Sequence, residues 1–350
     1  MTGDDLIPPA PAANPELLGH DEAQARFLAA FSSGRLHHGW LIAGPKGIGK
    51  ATLAYRIARF LLSMDGGGLA LGAPPASLAI APTHPVFRQV VAGSHPDLRI
   101  ITPAFNPRTG EPRGEILVDD VRGLGGFLGA TAAMGGWRVV IVDAADALNA
   151  NAANAILKLL EEPPARTVFL LVAHSPGALL PTLRSRCLHL PLKPLSQVAM
   201  DQLLARYLPD LDPEAQGELG FLSAGSPGLA LRLAAGGGDA IHGHLRRLFM
   251  ALPRVDLAQV HALAGELSGK RGAEAFATFS FILQRMLADS ARARADPAMA
   301  TAAPWADALP LGRWLSLEEE SRRLLEKAER LNLEARHVVL NLFANLTRAA

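Results

Sequence analysis

Gly44-Pro45-Lys46-Gly47-Ile48-Gly49-Lys50-Ala51 places three glycines and two lysines in eight consecutive residues. Such a run lets the backbone curl with several N–H groups facing inward. Lys50 adds a full positive charge where a helix N-terminus supplies a partial one. The chemistry these residues offer is polyphosphate binding. The run satisfies G-x-x-x-x-G-K and then departs from the motif, because Ala51 stands where serine or threonine would present a hydroxyl to Mg²⁺. A methyl group does not coordinate a hard cation. Thr52 is no substitute, since one step along a helix turns it about 100° away. Metal-dependent nucleotide binding is therefore expected to be weak.

The second acidic element carries a matching defect. Val139-Val140-Ile141-Val142-Asp143 is an apolar run that ends in a carboxylate, and Ala144-Ala145 follows. An active nucleotidase usually places a glutamate there to position the attacking water. Asp143 reads either as a residue that helps hold a metal or as a cap on the turn into the next helix. Asp146 reads as a helix-start residue. Phosphoryl transfer needs both charge compensation and a positioned nucleophile, and each such group is commonly worth about 10² or more in rate. Hydrolysis by this chain is not expected, even if a nucleotide still binds.

These residues need a strand, a turn and a helix to hold them. Trp40–Ala43 reads as a short apolar strand feeding the glycine-rich turn, and a helix follows from about Lys50 to Ser63. Further strands are expected at Leu98–Ile101, Trp137–Asp143, Thr167–Ala173 and, briefly, Cys187–Leu190. The continuous apolar runs among them suit a parallel sheet covered on both faces. Helices are expected at 21–31, 118–134 and 149–162, the last stopped by Pro163-Pro164. Residues 1–16 read as a solvated arm, and 64–96 and 103–114 as Gly/Pro-rich loops. After Pro194 strand signals end. Helices at 196–207, 213–223 and 227–234 form a small unit, and Gly236-Gly237-Gly238 reads as a linker to longer helices. One of these carries the stripe Phe276, Phe279, Leu283, Met286 and Leu287, and another Leu317, Leu324, Ala328 and Leu331. The second also offers Glu318/Arg322, Glu319/Arg323 and Glu326/Arg330 as i,i+4 pairs on a solvated face.

Composition narrows the classes. The 350 residues carry a net charge of +1, so no strong field draws the chain to nucleic acid or anionic membrane. Mean hydropathy is +0.18, yet the uncharged stretches 66–87 and 167–183 are broken by proline and do not resemble a spanning helix. The N-terminus has neither a basic nor an apolar targeting region, and a soluble cytoplasmic protein is expected. Cys187 is the sole cysteine, which excludes an internal disulfide and any multi-cysteine zinc site. Its place at a strand start favours a small core residue over a nucleophile. His37-His38 lacks a third ligand and reads as structural, and His174 as a loop residue. By residue type alone, Arg186 reads as half of an ion pair.

Several motifs in fixed order resemble the delta-prime family of the bacterial DNA polymerase III clamp loader. They are HHGWLIAGPKGIGKATLAYRIARFLL (37–62), AGSHPDLRII (92–101), WRVVIVDAADALNANAANAILKLLEEPP (137–164), LLPTLRSRCLHLPLKPLS (179–196) and GSPGLALRL (225–233). Residues 240–350 carry little recognisable motif. The resemblance implies an α/β AAA+ RecA-like P-loop domain at 17–193, a small helical lid at 194–238 and an all-α collar at 239–350. It implies a stator that does not hydrolyse ATP, assembled in a ring with delta and gamma/tau subunits that loads the sliding beta clamp onto primed DNA. Ser185-Arg186-Cys187 matches the family's SRC motif, which implies that Arg186 reaches ATP on a neighbouring subunit as an arginine finger; Arg184 is a supporting candidate. Two departures stand out. Many relatives carry a four-cysteine zinc module, but 64–95 has no cysteine and His84 and His95 alone cannot make that site, so no zinc is expected. Gly228 occupies the position of a sensor-2 arginine, and Ala173-His174-Ser175 lacks the Thr-Thr pair of motor subunits. The alternative in the enzyme class is an active loader ATPase. A stand-alone nucleic-acid-binding module has little support from charge or aromatic content.

Overall fold

The computed structural model describes residues 9–64, 75–105, 110, 113–268 and 272–347. Residues 65–74 of the loop expected at 64–96, and 106–109 and 111–112 of that at 103–114, lie outside the described residues. Two compact units divide the chain: Met1–Tyr207 together with Gly225–Gly228, and Leu208–Ala224 together with Leu229–Ala350.

The first unit is built on strands β1 (Gly39–Ala43), β2 (Leu98–Ile101), β3 (Arg138–Asp143), β4 (Thr167–Ala173) and β5 (Leu188–Pro191), within one residue of their expected places. All neighbours pair in parallel, in the order β2-β3-β4-β1-β5. The register sets Trp40 beside Leu170 and Leu188, and Ile141 beside Leu170 and Ile100. Helices α1 (Asp21–Ser32), α2 (Lys50–Leu62), α3 (Pro85–Val91), α4 (Val118–Arg122), α5 (Leu124–Gly129), α6 (Ala150–Glu161), α7 (Pro181–Ser185) and α8 (Gln197–Tyr207) complete it. Every residue of β1 and β4 is buried, as a doubly covered parallel sheet requires. On one face Leu41, Val140, Val142, Phe169 and Leu171 meet Ile116, Leu124, Ile156 and Leu183. On the other, the Trp40 ring lies 4.9 Å from Phe27, and Phe31 lies 4.9 Å from Phe60. Each such buried side chain is worth about 1.5–3 kcal/mol.

Three local expectations change. The helix foreseen over 118–134 is two short helices that end at Gly129. Buried Asp97 takes the Ala133 and Met134 N–H groups at 2.8 and 2.9 Å, and Arg138 claims the carbonyls of Leu128 and Ala130. The backbone from 130 onward is thereby held outside a helix. Within 64–96, Pro85–Val91 is helical, because Pro85 is tolerated in a first turn and the His84 ring caps Val86 N–H at 3.2 Å. Residues 1–8 of the expected arm lie outside the described residues, and 12–15 are half-buried rather than solvated. Arg59 donates to the carbonyls of Ala12 and Asn14, Arg56 to that of Pro15, and Arg206 pairs with Glu16.

The second unit comprises α9 (Pro213–Leu222), most of α10 (Pro227–Ala235), α11 (Gly238–Met250), α12 (Leu257–Glu266), α13 (Gly272–Ala295), α14 (Leu311–Leu331) and α15 (Ala335–Thr347). Leu219, Leu222 and Leu233 share one apolar cluster with Ile241, Leu245, Phe279 and Trp314. The three glycines at 236–238 are thus a tight turn inside that cluster rather than a linker. A Cβ on Gly236 would sit 2.0 Å from Thr278 Oγ1, so the close approach to α13 requires glycine there. The α13 stripe is buried as expected except for half-buried Phe276. On α14 the Glu319–Arg323 pair forms at 2.7 Å, but Arg322 pairs with Glu319 and Glu326 rather than Glu318. No described helix is long and apolar enough to cross a membrane.

Candidate functional site: a phosphate loop and a distant arginine

The glycine-rich turn leaves the C-terminal end of β1, where sheet neighbours diverge and ligands of open α/β folds bind. Gly44 N–H donates to Ala173 at 3.2 Å, and Leu192 N–H to Ala43 at 2.7 Å, which ties the turn to β4 and to the end of β5. Lys50 is 3% exposed, and its ammonium donates to the carbonyls of Gly44 at 2.7 Å and Pro45 at 2.5 Å. Burial pulls its pKa down to about 8, against the opposing pull of Asp143 and Asp146. Ala51 lies in the first turn of α2 and presents only its methyl group.

Three further groups grip the same turn. The buried His20 ring sits 2.6 Å from the Ile48 carbonyl, which fixes its Nε2 as the donor. Ser226 Oγ donates to Lys46 at 2.8 Å and Gly228 N–H to Gly47 at 2.9 Å. A Cβ on Gly228 would fall 3.0 Å from the Gly47 carbonyl oxygen, so that position has no room for an arginine in this arrangement. Burial lowers the His20 pKa, and likewise those of His38, His95 and His174. The unfolded chain then gains protons below about pH 6.5 that the folded chain refuses, so stability falls with falling pH in that range. The urea midpoint is expected to drop from pH 7.5 to pH 5.5. The drop should be smaller in His20→Gln, whose amide can also donate to Ile48; an unchanged drop would exclude His20 as a contributor.

Asp143 closes β3, with its carboxyl raised by burial and steadied by His174 and Lys50. No carboxylate stands at Ala144. Asp146 does not start a helix of the α type. It lies in a single 3-10 turn, and its carboxylate accepts the backbone N–H groups of His174 and Ser175 at 3.1–3.2 Å. Asn149 instead caps α6 through Ala152 N–H at 2.9 Å. The His37 ring engages Gly39, and His95 caps Asp97 N–H, so these imidazoles have backbone roles.

Arg186 lies elsewhere. It ends α7, and its backbone carbonyl would be 3.2 Å from a Cβ on Gly39, at the opposite end of β1 from Gly44. Five strand residues at 3.3 Å each put about 16 Å between these ends. Its guanidinium pairs with Glu161 at 2.8 Å, donates to Thr182 at 3.1 Å and remains 39% exposed. Neighbouring Cys187 is buried, its thiol pushed up to about 12, which leaves it protonated and inert.

Reading the residues alone assigns Lys50, Asp143 and the loop to one site, and the structure sets Asp143 near enough to Lys50 to support its charge. It does not find the contacts of His20, Ser226 and Gly228, which join segments far apart in sequence. Arg59 is the exception with a visible signal: it interrupts the apolar face of α2 at helical spacing, is 1% exposed, and stacks 4.5 Å over Phe87.

A five-stranded parallel sheet with strand–loop–helix around Lys50 defines the RecA-like P-loop class, here with a helical C-terminal unit. A family model described as DNA polymerase III, delta subunit, matches residues 19–196, about half of the chain. The chain belongs to that family. It is 42% identical over 196 residues to DNA polymerase III subunit delta' of Pseudomonas aeruginosa, covering 56% of this chain and 55% of that protein. It is 36% identical over 212 residues to the Escherichia coli subunit of the same name, covering 60% and 58%. It is also 32% identical over 200 residues to DNA polymerase III subunit gamma/tau of Mycobacterium bovis, covering 56% and 31%. The matches thus span little more than half the length of the delta' relatives.

Proposed function

We propose that the chain is a non-hydrolysing stator of the DNA polymerase III clamp loader, which lends Arg186 to ATP held by an adjoining motor subunit. In this reading it assembles with delta and gamma/tau subunits in the cytoplasm and helps load the beta clamp onto primed DNA. Residues 17–193 act as nucleotide-type domain, 194–238 as lid and 239–350 as collar, with α9 and α10 of the lid sharing the apolar cluster of the collar helices. It requires no nucleotide and no zinc of its own. The observation that carries the reading is the separation of Arg186 from the chain's own phosphate loop by the length of β1. An arginine so placed serves phosphate only on another molecule. Ala51 and Ala144 add the chemical reason for silence at home: no hydroxyl for Mg²⁺ and no base for water.

The likeness to gamma/tau favours a second reading, an active loader ATPase. One experiment separates them. Purified alone, the chain is expected to hydrolyse ATP far below about 0.1 s⁻¹, a slow rate for an enzyme. Added to the other loader subunits with clamp and primed DNA, it should raise their turnover. Steady hydrolysis by the isolated chain would establish the motor reading.

A further inference from the structure

We infer that Glu161 is the positioning residue for Arg186. This rests on the finger reading above and adds to it the group that aims the guanidinium. Glu161 is the last residue of α6 and Glu162 its C-cap. Two acids at the negative end of a helix dipole are unfavourably placed unless a cation answers them. Lys158 lies in the same last turn, yet it is Arg186, from another helix, that pairs with Glu161. Leu160 and Arg186 both come against Gly39: a Cβ there would meet Leu160 Cδ2 at 3.1 Å and the Arg186 carbonyl at 3.2 Å. The two helix ends are therefore locked side by side at the start of β1.

The hydrogen bonds define an orientation. Nη2 is held by Glu161 Oε1 and Nη1 by the Thr182 carbonyl, so two points of the planar guanidinium are anchored to its own chain. A guanidinium carries five N–H donors. The anchors leave three N–H groups for an anion that approaches from a neighbour. Arginine carries substantial rotamer freedom, and a group held before the ligand arrives loses less on binding. Arg184, on the same short helix, makes no ion pair among the described residues, so the aimed arginine is Arg186 rather than its neighbour.

The test uses the complete reconstituted loader. Glu161→Ala is expected to slow clamp- and DNA-stimulated hydrolysis at the adjoining motor site roughly three- to ten-fold, read as a slow fraction in single-turnover measurements. That lies between the small worth of an exposed ion pair and the hundredfold cost of a misplaced group. The loss should fall on kcat with KM for ATP unchanged and assembly intact. Glu161→Gln keeps the Oε1 acceptor and should recover part of the rate. In an Arg186→Ala background, Glu161→Ala should cost nothing further. Unchanged or faster single-turnover hydrolysis in Glu161→Ala, or an additive loss in the double variant, overturns the inference while a deficient Arg186→Ala leaves the finger reading standing. Unchanged single-turnover hydrolysis in Arg186→Ala removes both.

Discussion

Arg186→Ala in the assembled loader is expected to slow hydrolysis at the adjoining motor site by roughly 10³-fold or more, the worth of a trans arginine in related phosphoryl transfer. The reason is electrostatic. A loose transition state spreads charge over the transferring oxygens, and a desolvated fork of N–H donors stabilises it where water cannot. Only the site facing this chain is affected, so whole-complex turnover should fall by that site's share, and single-turnover measurements should resolve a slow fraction. Arg186→Lys should not restore it, because an ammonium is a point charge without the planar fork. The side chain is 39% exposed and its ion pair is a surface one, so fold and assembly should be nearly unaffected. Normal single-turnover kinetics in the assembled variant would remove Arg186 from the mechanism.

Gly44→Ala should have its effect on stability instead. An added Cβ would sit 2.4 Å from the Leu192 carbonyl oxygen and 2.8 Å from Ile48 Cδ1. The Ile48 terminus can turn aside, but Leu192 is backbone, tied to Ala43 at 2.7 Å. Relief requires the end of β5 or the loop itself to move, at a cost of about 2–4 kcal/mol. For a unit of this size that corresponds to a fall in Tm of roughly 5–15 °C. Because the loop is not catalytic in the proposed function, loaders assembled with the variant should hydrolyse ATP normally per complex. Differential scanning calorimetry and a parallel ATPase assay check both halves. A loss below about 1 kcal/mol would show that the loop yields cheaply, and a selective loss of turnover would give the loop a catalytic role.

What could be read from residue order was whatever depends on neighbours along the chain. The runs at 139–142 and 168–173 are apolar without interruption, and burial on both faces leaves them no alternative to central parallel strands. Ala51 and Ala144 were legible as missing ligands because the motif fixes where a hydroxyl and a carboxylate belong. What was not legible depends on partners brought together by the fold. Nothing near Gly129 announces that Asp97 and Arg138 will claim the backbone around 128–134, and the glycines there weaken a helix without fixing where it ends. The arm at 9–16 looked solvated because its own residues are proline, alanine, asparagine and glutamate, with no large apolar side chain. Its order comes from Arg56 and Arg59 of α2, more than forty residues away. Glu161 was likewise one acid among many until α7 laid Arg186 beside it.

Asp146 and α6 together have a mechanical consequence. Asp146 grips the chain at His174-Ser175, which continues into α7, while α6 leaves the same neighbourhood and ends at Glu161. Two struts thus run from one corner and meet again at Arg186, the helical one about 18 Å long at 1.5 Å per residue. Both segments start at the 144–149 corner, so the placement of that corner bears on Arg186 by two routes. In the proposed function, that bracing would keep Arg186 in place while neighbouring subunits move.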